Sequence, residues 1–160
     1  RAVVGWDSGR LAMIMAVLEA RCGLALGGTE VYLNVAGGLK ISEPAADLAV
    51  AAALVSSVTA SPLPPETVVF GEVGLSGEVR AVSQTEARLK EAEKLGFSRA
   101  IIPKARVRKG KPGSKRNDSA DTALTIIEID HLADLIQRFE NAAQGKTEGP
   151  MMRAGEPQRS

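Results

Sequence analysis

Cysteine and histidine are almost absent from this sequence of 160 residues, which contains only Cys22 and His131. A single cysteine excludes an intramolecular disulfide, and together the two residues are too few for a Cys/His zinc site within the chain. Cys22 closes a helical pattern, which predicts a small buried hydrophobe rather than a reactive thiol. His131 is expected on the surface, in the first turn of the last helix. The cysteine usage fits a cytoplasmic protein.

Aromatic residues are also scarce, at 3% of the sequence. Their scarcity weakens any mode of single-strand binding that depends on base stacking, and it leaves the core to alanine, valine, leucine and isoleucine. The apolar stretch that begins at Leu11 is interrupted by Glu19 and Arg21, so no run is long enough to cross a membrane. No secretory signal is recognisable either. We therefore expect no membrane contact.

The composition, 44% hydrophobic and 24% charged, is that of one ordinary globular domain with some additional tail. Apolar residues with a helical period alternate with short β-rich runs, which indicates an α/β (or α+β) fold with one core. Ser8 is expected to cap the first helix and Gly23 to end it. The predicted helices cover residues 8–23, 44–58, 84–96 and 130–140, and the predicted strands cover 30–38, 67–73, 74–82, 99–103 and 124–129.

The tripeptide Gly-Lys-Thr at 145–147 raises the question of a nucleotide-binding phosphate loop. Such a loop requires another glycine five positions before the Gly-Lys pair, between a strand and a helix. Glu140 occupies that position, and the surrounding residues 141–160 are polar, without a helical or strand period. We interpret these residues as a disordered tail, and we expect no cofactor bound by this chain.

The stretch 70–103, FGEVGLSGEVRAVSQTEARLKEAEKLGFSRAIIP, resembles the second half of the proteolytic domain of Lon proteases. That family reads G-E-V-x-L-x-G-x-V, followed by a helix, a turn of small residues and a strand that ends in I-P. Upstream, the family carries its nucleophilic serine in G-P-S-A-G at the start of a helix. The matching residues here are Glu43-Pro44-Ala45-Ala46-Asp47. The resemblance therefore implies that Ala45 replaces the serine and that Glu86 replaces the catalytic lysine.

A Ser/Lys dyad needs a hydroxyl to attack and a neutral amine to accept its proton, and the two replacements remove both. We therefore predict no catalytic residue at these positions. Two alternatives stay open. One is a displaced dyad, although Glu86 and Lys90 are also spaced for an ordinary i,i+4 ion pair; the other is a metal site. The residues concerned are Ser42, Ser83, Thr85 and Lys90 for the dyad, and Glu43, Asp47 and Glu86 for the metal.

A narrower resemblance extends over residues 1 to about 140 and is carried above all by EPAADLAVA at 43–51. It is similar to the C-terminal domain of the bacterial RadA (Sms) DNA-repair family. This implies a Lon-like fold over residues 1–140, also seen in domain 2 of ribosomal protein S5, with a mixed sheet packed against helices. The chain begins with Arg1 rather than methionine, so we expect it to be a fragment of a longer protein.

Members of that family carry a four-cysteine zinc finger and a RecA-like ATPase ahead of this domain. The resemblance implies that ATP, magnesium and zinc belong to those other domains. It further implies a homo-oligomeric ring, which we expect to be hexameric. The ring belongs to a protein that unwinds DNA and drives branch migration. A link to the RecA recombinase is implied in the same way.

Positive charge is concentrated in one segment although the net charge is only +1. Residues 104–116 contain seven basic residues and no acidic one, whereas the remaining 13 basic and 19 acidic residues give −6. Such a cationic loop favours contact with DNA phosphates without sequence preference, although a solvated surface loop explains it equally well. The candidate DNA-binding residues are Lys104, Arg106, Arg108, Lys109, Lys111, Lys115 and Arg116 in this loop, and Arg10, Lys40, Arg80 and Arg88 outside it.

Three functional hypotheses follow. The first is a non-proteolytic module that assembles into rings and binds DNA. The second is an active peptidase with a displaced dyad. The third is a purely structural oligomerisation domain without nucleic-acid contact.

Overall fold

A computed structural model describes residues 1–105 and 122–145 of the chain. Within these ranges the α-helices and β-strands alternate, and two short 3-10 helices cover Ala36–Gly38 and Pro44–Ala46. The α-helices are α1 (Ser8–Cys22), α2 (Asp47–Thr59), α3 (Thr85–Lys94) and α4 (Leu132–Ala143). The strands are β1 (Ala2–Val4), β2 (Tyr32–Asn34), β3 (Thr67–Val69), β4 (Glu72–Val73), β5 (Val79–Arg80), β6 (Arg99–Pro103) and β7 (Thr125–Ile129).

The central sheet has three parallel strands in the order β3-β6-β7. Side chains alternate across β6, so Ile101 joins a core formed with α1, α2 and α4, while Ala100 and Ile102 join a second core with Leu89 and Ala92 of α3. Apolar cover on both faces is the usual arrangement of parallel sheets. The predicted α/β class is therefore confirmed.

Two smaller sheets complete the described part of the fold. Strands β1 and β2 are parallel, and β4 and β5 form an antiparallel hairpin whose turn includes Gly77 with φ +86°. The hairpin contacts the start of α4, where the N–H of Leu132 donates to the carbonyl of Gly77 at 2.9 Å. The β1 strand has only three residues, too few for its alternation to stand out in the sequence, and it was not predicted.

The helix caps differ in part from the prediction. Gly23 ends α1 in the left-handed conformation, with φ +68°, as predicted. The N-cap is Asp7 and not Ser8, because Asp7 has extended backbone angles and its carboxylate accepts a hydrogen bond from the N–H of Arg10 at 2.7 Å. Cys22, at the last position of α1, is half-buried rather than fully buried, and burial raises the pKa of its thiol.

The predicted strand 67–73 is interrupted at Gly71, which pairs with the start of α2 instead of continuing the sheet. The N–H of Gly71 donates to the carbonyl of Ala45 at 2.8 Å, and its carbonyl accepts from the N–H of Leu48 at 3.0 Å. A Cβ on Gly71 would come within 3.0 Å of Pro103 and 3.1 Å of Leu48 and Val79. Glycine is thus the residue that lets β3 and α2 approach each other so closely.

The remaining differences are in element bounds. The predicted strand 30–38 is reduced to β2, because residues 36–38 turn and Gly37 has φ +79°. Likewise, the predicted extended piece 74–82 keeps only β5. The helix expected over 130–140 is α4, which extends to Ala143 and thus into the segment predicted to be disordered. Residues 146–160 lie outside the described residues.

Candidate functional site

An open groove of about 550 Å³ lies between the start of α2, strand β3 and helix α3. Its lining is mainly apolar, with Arg88, Glu43 and Glu91 as charged residues. Ala45, the position that resembles the Lon nucleophile, lies in this lining together with Phe70 and Phe97. The groove is therefore the place at which to test the predicted loss of the dyad.

Ala45 takes part in the groove only through its methyl group and its main chain. The residue is 2% exposed, and its side chain packs in the core cluster that contains Phe70 and Leu89. Its N–H donates to Oε1 of Glu43 at 3.1 Å, which caps the 3-10 turn that leads into α2. A methyl group cannot attack a carbonyl carbon, so this position supplies structure and no nucleophile.

Glu86 lies on α3 with 83% of its side chain exposed, and it is not among the residues that line the groove. Its Oε1 lies 2.7 Å from Nζ of Lys90 and forms the expected i,i+4 ion pair. The hydrogen bond from Lys90 lowers the pKa of the Glu86 carboxyl. Glu86 therefore carries its carboxylate into a surface ion pair and not into the groove.

Of the hydroxyl residues considered for a displaced dyad, Thr85 uses its hydroxyl locally and Ser83 its main-chain carbonyl. Thr85 donates its hydroxyl to the carbonyl of Val82 at 3.2 Å, and the carbonyl of Ser83 accepts from Nε of Arg88 at 3.0 Å. Ser42 is exposed, just ahead of the 3-10 turn.

The carboxylates considered for a metal site are used separately. Asp47 is buried in an ion pair, and Glu43 caps the 3-10 turn, while Glu86 pairs with Lys90. Across residues 1–105 and 122–145, no three Cys, His, Asp or Glu side chains come together in a way that would hold a metal ion.

Arg88 is the basic residue that lies in the groove. Its guanidinium carbon is 5.9 Å from the centre of the Phe70 ring, and Nη2 lies 3.6 Å from Oε2 of Glu43. The side chain is 30% exposed, so its charged end reaches solvent at the mouth of the groove. Arg88 thus places one positive charge in a mainly apolar lining that also contains the carboxylates of Glu43 and Glu91.

Arg10 has an unexpected partner in Asp47. Its Nε and Nη2 approach Oδ1 and Oδ2 of Asp47 at 2.5 and 2.7 Å, and Asp47 has no exposed surface. Oδ2 also accepts from the N–H of Val73 at 3.1 Å. The hydrogen bond to Asp47 raises the pKa of the Arg10 guanidinium, so the charge is firmly held. Sequence reasoning placed Asp47 near the helix start but had no signal for a partner 37 residues away.

The other candidate DNA-binding residues are more accessible. Arg80 pairs with Glu78 at 2.6 Å, with 52% of its side chain exposed, and Lys104 lies 3.9 Å from Asp130, with 61% exposed. Lys40 is exposed as well. The remaining members of the basic segment lie outside the described residues: Arg106, Arg108, Lys109, Lys111, Lys115 and Arg116.

His131 is half-buried and caps α4, which corrects its predicted place on the surface of the first helical turn. Its Nδ1 accepts from the N–H of Ala133 at 3.1 Å, and Nε2 lies 2.9 Å from the carbonyl of Ser76 on the β4–β5 hairpin. The side chain of Asp134 accepts from the N–H of His131, which completes a capping box. Histidine is not among the residues preferred at an N-cap, so the sequence pattern did not predict this role.

Comparison with known proteins gives two results. The family model described as "Subunit ChlI of Mg-chelatase" matches residues 10–106, more than half of the chain. Several curated relatives are named "DNA repair protein RadA". That of Brucella abortus (strain 2308) is 56% identical over 146 residues, 91% of this chain and 29% of the relative.

Two further relatives with that name match a shorter part of the chain. The protein of Rickettsia bellii (strain RML369-C) is 59% identical over 105 residues, 66% of this chain and 23% of the relative. That of Aquifex aeolicus (strain VF5) is 52% identical over 105 residues, 66% of this chain and 24% of the relative. The chain thus spans less than a third of the length of these relatives. Among the described helices, none combines the length and apolarity needed to cross a bilayer.

Proposed function

Because the chain belongs to the family described as "Subunit ChlI of Mg-chelatase" and resembles RadA proteins, we propose that it is a non-proteolytic, Lon-like module of a DNA-repair protein. The observation that carries the proposal is the 56% identity to a RadA protein over 91% of the chain. At this level of identity the two chains share a fold and, in most families, a general role. The module serves as an assembly platform and a DNA-binding surface.

The chemistry of the groove supports the non-proteolytic part of the proposal. Ala45 offers a methyl group, and Glu86 faces solvent in an ion pair with Lys90. A displaced dyad built on Lys90 would first have to break that ion pair and lose a proton to water. The peptidase alternative therefore has less support than the non-proteolytic one.

The distribution of positive charge supports the DNA-binding part. Lys40, Arg80 and Lys104 are exposed, and Lys104 opens the segment 104–116 with its seven basic residues. The 3.9 Å contact from Lys104 to Asp130 is loose enough for the ammonium group to exchange it for a phosphate. Arg10 is less suited to this surface, because Asp47 already takes two of its five donors. In this proposal the surface contacts DNA phosphates and does not read the bases.

Some roles are proposed only for a longer protein, of the length of the RadA relatives, and not for these 160 residues alone. Under the proposal, the module contributes to a ring, with six subunits expected, in a cytoplasmic protein that processes recombination intermediates by branch migration beside RecA. ATP, magnesium and zinc are assigned to segments outside these 160 residues.

The DNA-binding part is tested by fluorescence anisotropy with a labelled 40-base-pair duplex between 50 and 200 mM salt. The test variant replaces three basic residues with glutamine: Lys104, Arg106 and Arg108. The control variant makes the same replacement at three other exposed basic residues: Arg21, Lys94 and Arg99. Relative to the unmodified chain, we expect only the variant at 104, 106 and 108 to bind DNA more weakly, by about tenfold at low salt. Its slope of log affinity against log salt concentration should be smaller in magnitude by about 3. Equal affinities of the two variants would favour the purely structural alternative.

The non-proteolytic part is tested with casein as an unstructured substrate. We expect no cleavage by the chain, and none after Ala45→Ser, because Glu86 stands where the Lon resemblance places the lysine that would activate the new hydroxyl. Cleavage by the unmodified chain that disappears in both Ser42→Ala and Lys90→Ala would establish the peptidase instead. Light scattering over a concentration series tests assembly, and a monomer at all concentrations would contradict the ring.

A further inference from the structure

A leucine side chain projects from the turn of the β4–β5 hairpin. Leu75 is 68% exposed, although the main chain around it is held firmly. The N–H of Gly77 donates to the carbonyl of Gly74 at 3.0 Å, and the N–H of Gly74 donates to that of Glu78 at 2.9 Å. The N–H of Ser76 donates to Oε2 of Glu78 at 3.0 Å. An apolar side chain on a fixed turn loses little conformational freedom when a partner buries it.

The turn and the groove of the candidate site lie at opposite edges of the central sheet. The groove follows β3, the first strand in the order β3-β6-β7, and residues 68–70 line it. The turn instead contacts the segment that follows β7, the last strand. The N–H of Leu132 donates there to the carbonyl of Gly77. Nε2 of His131 lies 2.9 Å from the carbonyl of Ser76. Two strand spacings of about 4.8 Å therefore separate the turn from the groove of the same chain.

The groove offers a socket for an apolar side chain. Its lining includes Phe70 and Phe97 together with the small residues Ala45 and Ala49. Leu95, at the end of α3, also lines the groove and is 68% exposed. Exposed apolar surface of this kind marks an interaction site, because a contact removes it from water.

Two charged side chains complement each other across the two surfaces. Arg21 lies next to the turn, because a Cβ on Gly77 would be 3.5 Å from the Cβ of Arg21. Glu91 lines the groove. Within residues 1–105 and 122–145, neither Arg21 nor Glu91 forms an ion pair. Opposite charges at the rim of a contact fix its orientation more than its affinity.

On the basis of the ring in the proposed function, we propose that Leu75 of one copy seats in the groove of the next copy, beside Leu95. Arg21 of the first copy then faces Glu91 of the second. The contact joins two different surfaces, so each copy offers one turn and one groove. Contacts of this kind continue from copy to copy and close into a ring when the rotation allows it. The groove that resembles a peptidase cleft thereby acts as a socket for assembly.

The turn matches the groove better than other exposed apolar side chains do. Val4 and Tyr32 are exposed on the face of a two-stranded sheet, where they do not project singly. Leu75 stands between Gly74 and Ser76, whose small side chains leave room around it. A single side chain on a narrow turn can enter a groove that a sheet face cannot.

Sedimentation velocity of the 160-residue chain provides the first test. Leu75→Asp and Leu95→Asp should each raise the protein concentration at half assembly by at least about tenfold, because each places a carboxylate in an apolar contact. Leu39→Asp is the matched control, at a leucine that is 61% exposed outside both surfaces, and it should leave assembly unchanged. All three leucines are exposed, so the Tm values of the variants should stay alike.

The outcomes of this test separate the contact from the ring. Assembly of Leu75→Asp at the same concentration as the unmodified chain would overturn the contact and leave the ring in place. An unmodified chain that stays monomeric at every concentration would contradict the ring of the proposed function, and the contact with it.

Disulfide trapping provides the second test, in chains that carry Cys22→Ser and therefore have no other thiol. A chain with Leu75→Cys is mixed with a chain with Leu95→Cys under mild oxidation. We expect a covalent dimer in the mixture and none from either variant alone, because the contact brings residue 75 of one copy to residue 95 of another. The matched control mixes Leu39→Cys with Leu95→Cys. No dimer in the test mixture, or equal dimer yields in the two mixtures, would overturn the proposal.

Discussion

The guanidinium group of Arg10 and the carboxylate of Asp47 form a two-point ion pair that joins helix α1 to the first turn of α2. The distances are 2.5 and 2.7 Å, and Asp47 has no exposed surface while 31% of the Arg10 side chain is exposed. The two partners are therefore unequal, because one charge can reach water and the other cannot. That inequality has a measurable consequence.

We expect Arg10→Met to destabilise the fold by about 3–5 kcal/mol, because it leaves the Asp47 carboxylate buried without its counter-charge. Asp47→Asn should cost less, about 1–3 kcal/mol, since Arg10 can turn toward water and the amide oxygen can still accept from Val73. Urea unfolding followed by the fluorescence of Trp6, the only tryptophan, measures both. Arg80→Met, in an exposed pair, is the control and should cost at most about 1 kcal/mol. The reverse order of the two main variants would contradict the inequality.

A larger side chain at position 45 tests how tightly the groove holds Ala45. The residue is 2% exposed, so Ala45→Val must displace neighbours such as Phe70 and Leu89, at about 1–3 kcal/mol. Ala53→Val, on the exposed side of α2, introduces the same β-branched residue without a packing conflict. Equal unfolding free energies for the two variants would show that the groove accommodates a side chain at position 45 freely.

We expect the stability of the fold to depend slightly on pH through the Glu78 carboxyl. Its own main-chain N–H and the Arg80 guanidinium, with the N–H of Ser76, lower the pKa of the Glu78 carboxyl below its usual value of 4.5. A carboxyl with a lowered pKa in the folded state adds stability above about pH 4.5 and loses it as pH falls through the folded value. Glu78→Gln should thus lower the urea concentration at the midpoint of unfolding at pH 7 and leave it unchanged at about pH 2.

The control for this change is Glu140→Gln, which removes another exposed carboxylate, on α4. Carboxyl NMR titration gives a direct reading, in which Arg80→Met should move the Glu78 pKa back toward 4.5. A Glu78→Gln cost of the same size at both pH values would show that the carboxylate acts through shape and not through charge.

The neutral form of His131 should be a single tautomer. Because Nδ1 accepts from the N–H of Ala133 and Nε2 faces the carbonyl of Ser76, the ring hydrogen belongs on Nε2. As His131 is the only histidine, nitrogen-15 NMR at pH 8 reads this without an assignment problem. We expect His131→Ala to cost about 0.5–2 kcal/mol and His131→Asn less, because asparagine can still cap the helix. A dominant Nδ1–H signal would contradict the cap.

The sequence predicted the secondary-structure elements that are determined by their own residues and immediate neighbours. Strand β6 was predicted over 99–103 and is observed as Arg99–Pro103, because its apolar residues and the ending proline suffice to define it. Gly23 was predicted to end α1 for a reason contained in one residue, its tolerance of positive φ. The alternation of strands and helices likewise predicted the α/β class.

Features that depend on distant residues were missed. The interruption after β3 arises because Gly71 bonds to Ala45 and Leu48, more than twenty residues away. The ion pair of Arg10 with Asp47 spans 37 positions, and neither residue signals it in its own sequence neighbourhood. For the candidate site, the replacement at Ala45 was visible only through a family resemblance, and the structure adds where its methyl group and the Glu86 carboxylate lie.

Two main-chain hydrogen bonds of Gly71, with Ala45 and Leu48, hold the beginning of α2 against β3, together with the bond from the N–H of Val73 to the Asp47 carboxylate. The side chain at position 45 takes no part in these hydrogen bonds. Architecture and reactivity are thus separable at this position: a hydroxyl could be added or removed at residue 45 without changing a hydrogen bond that holds α2 against β3.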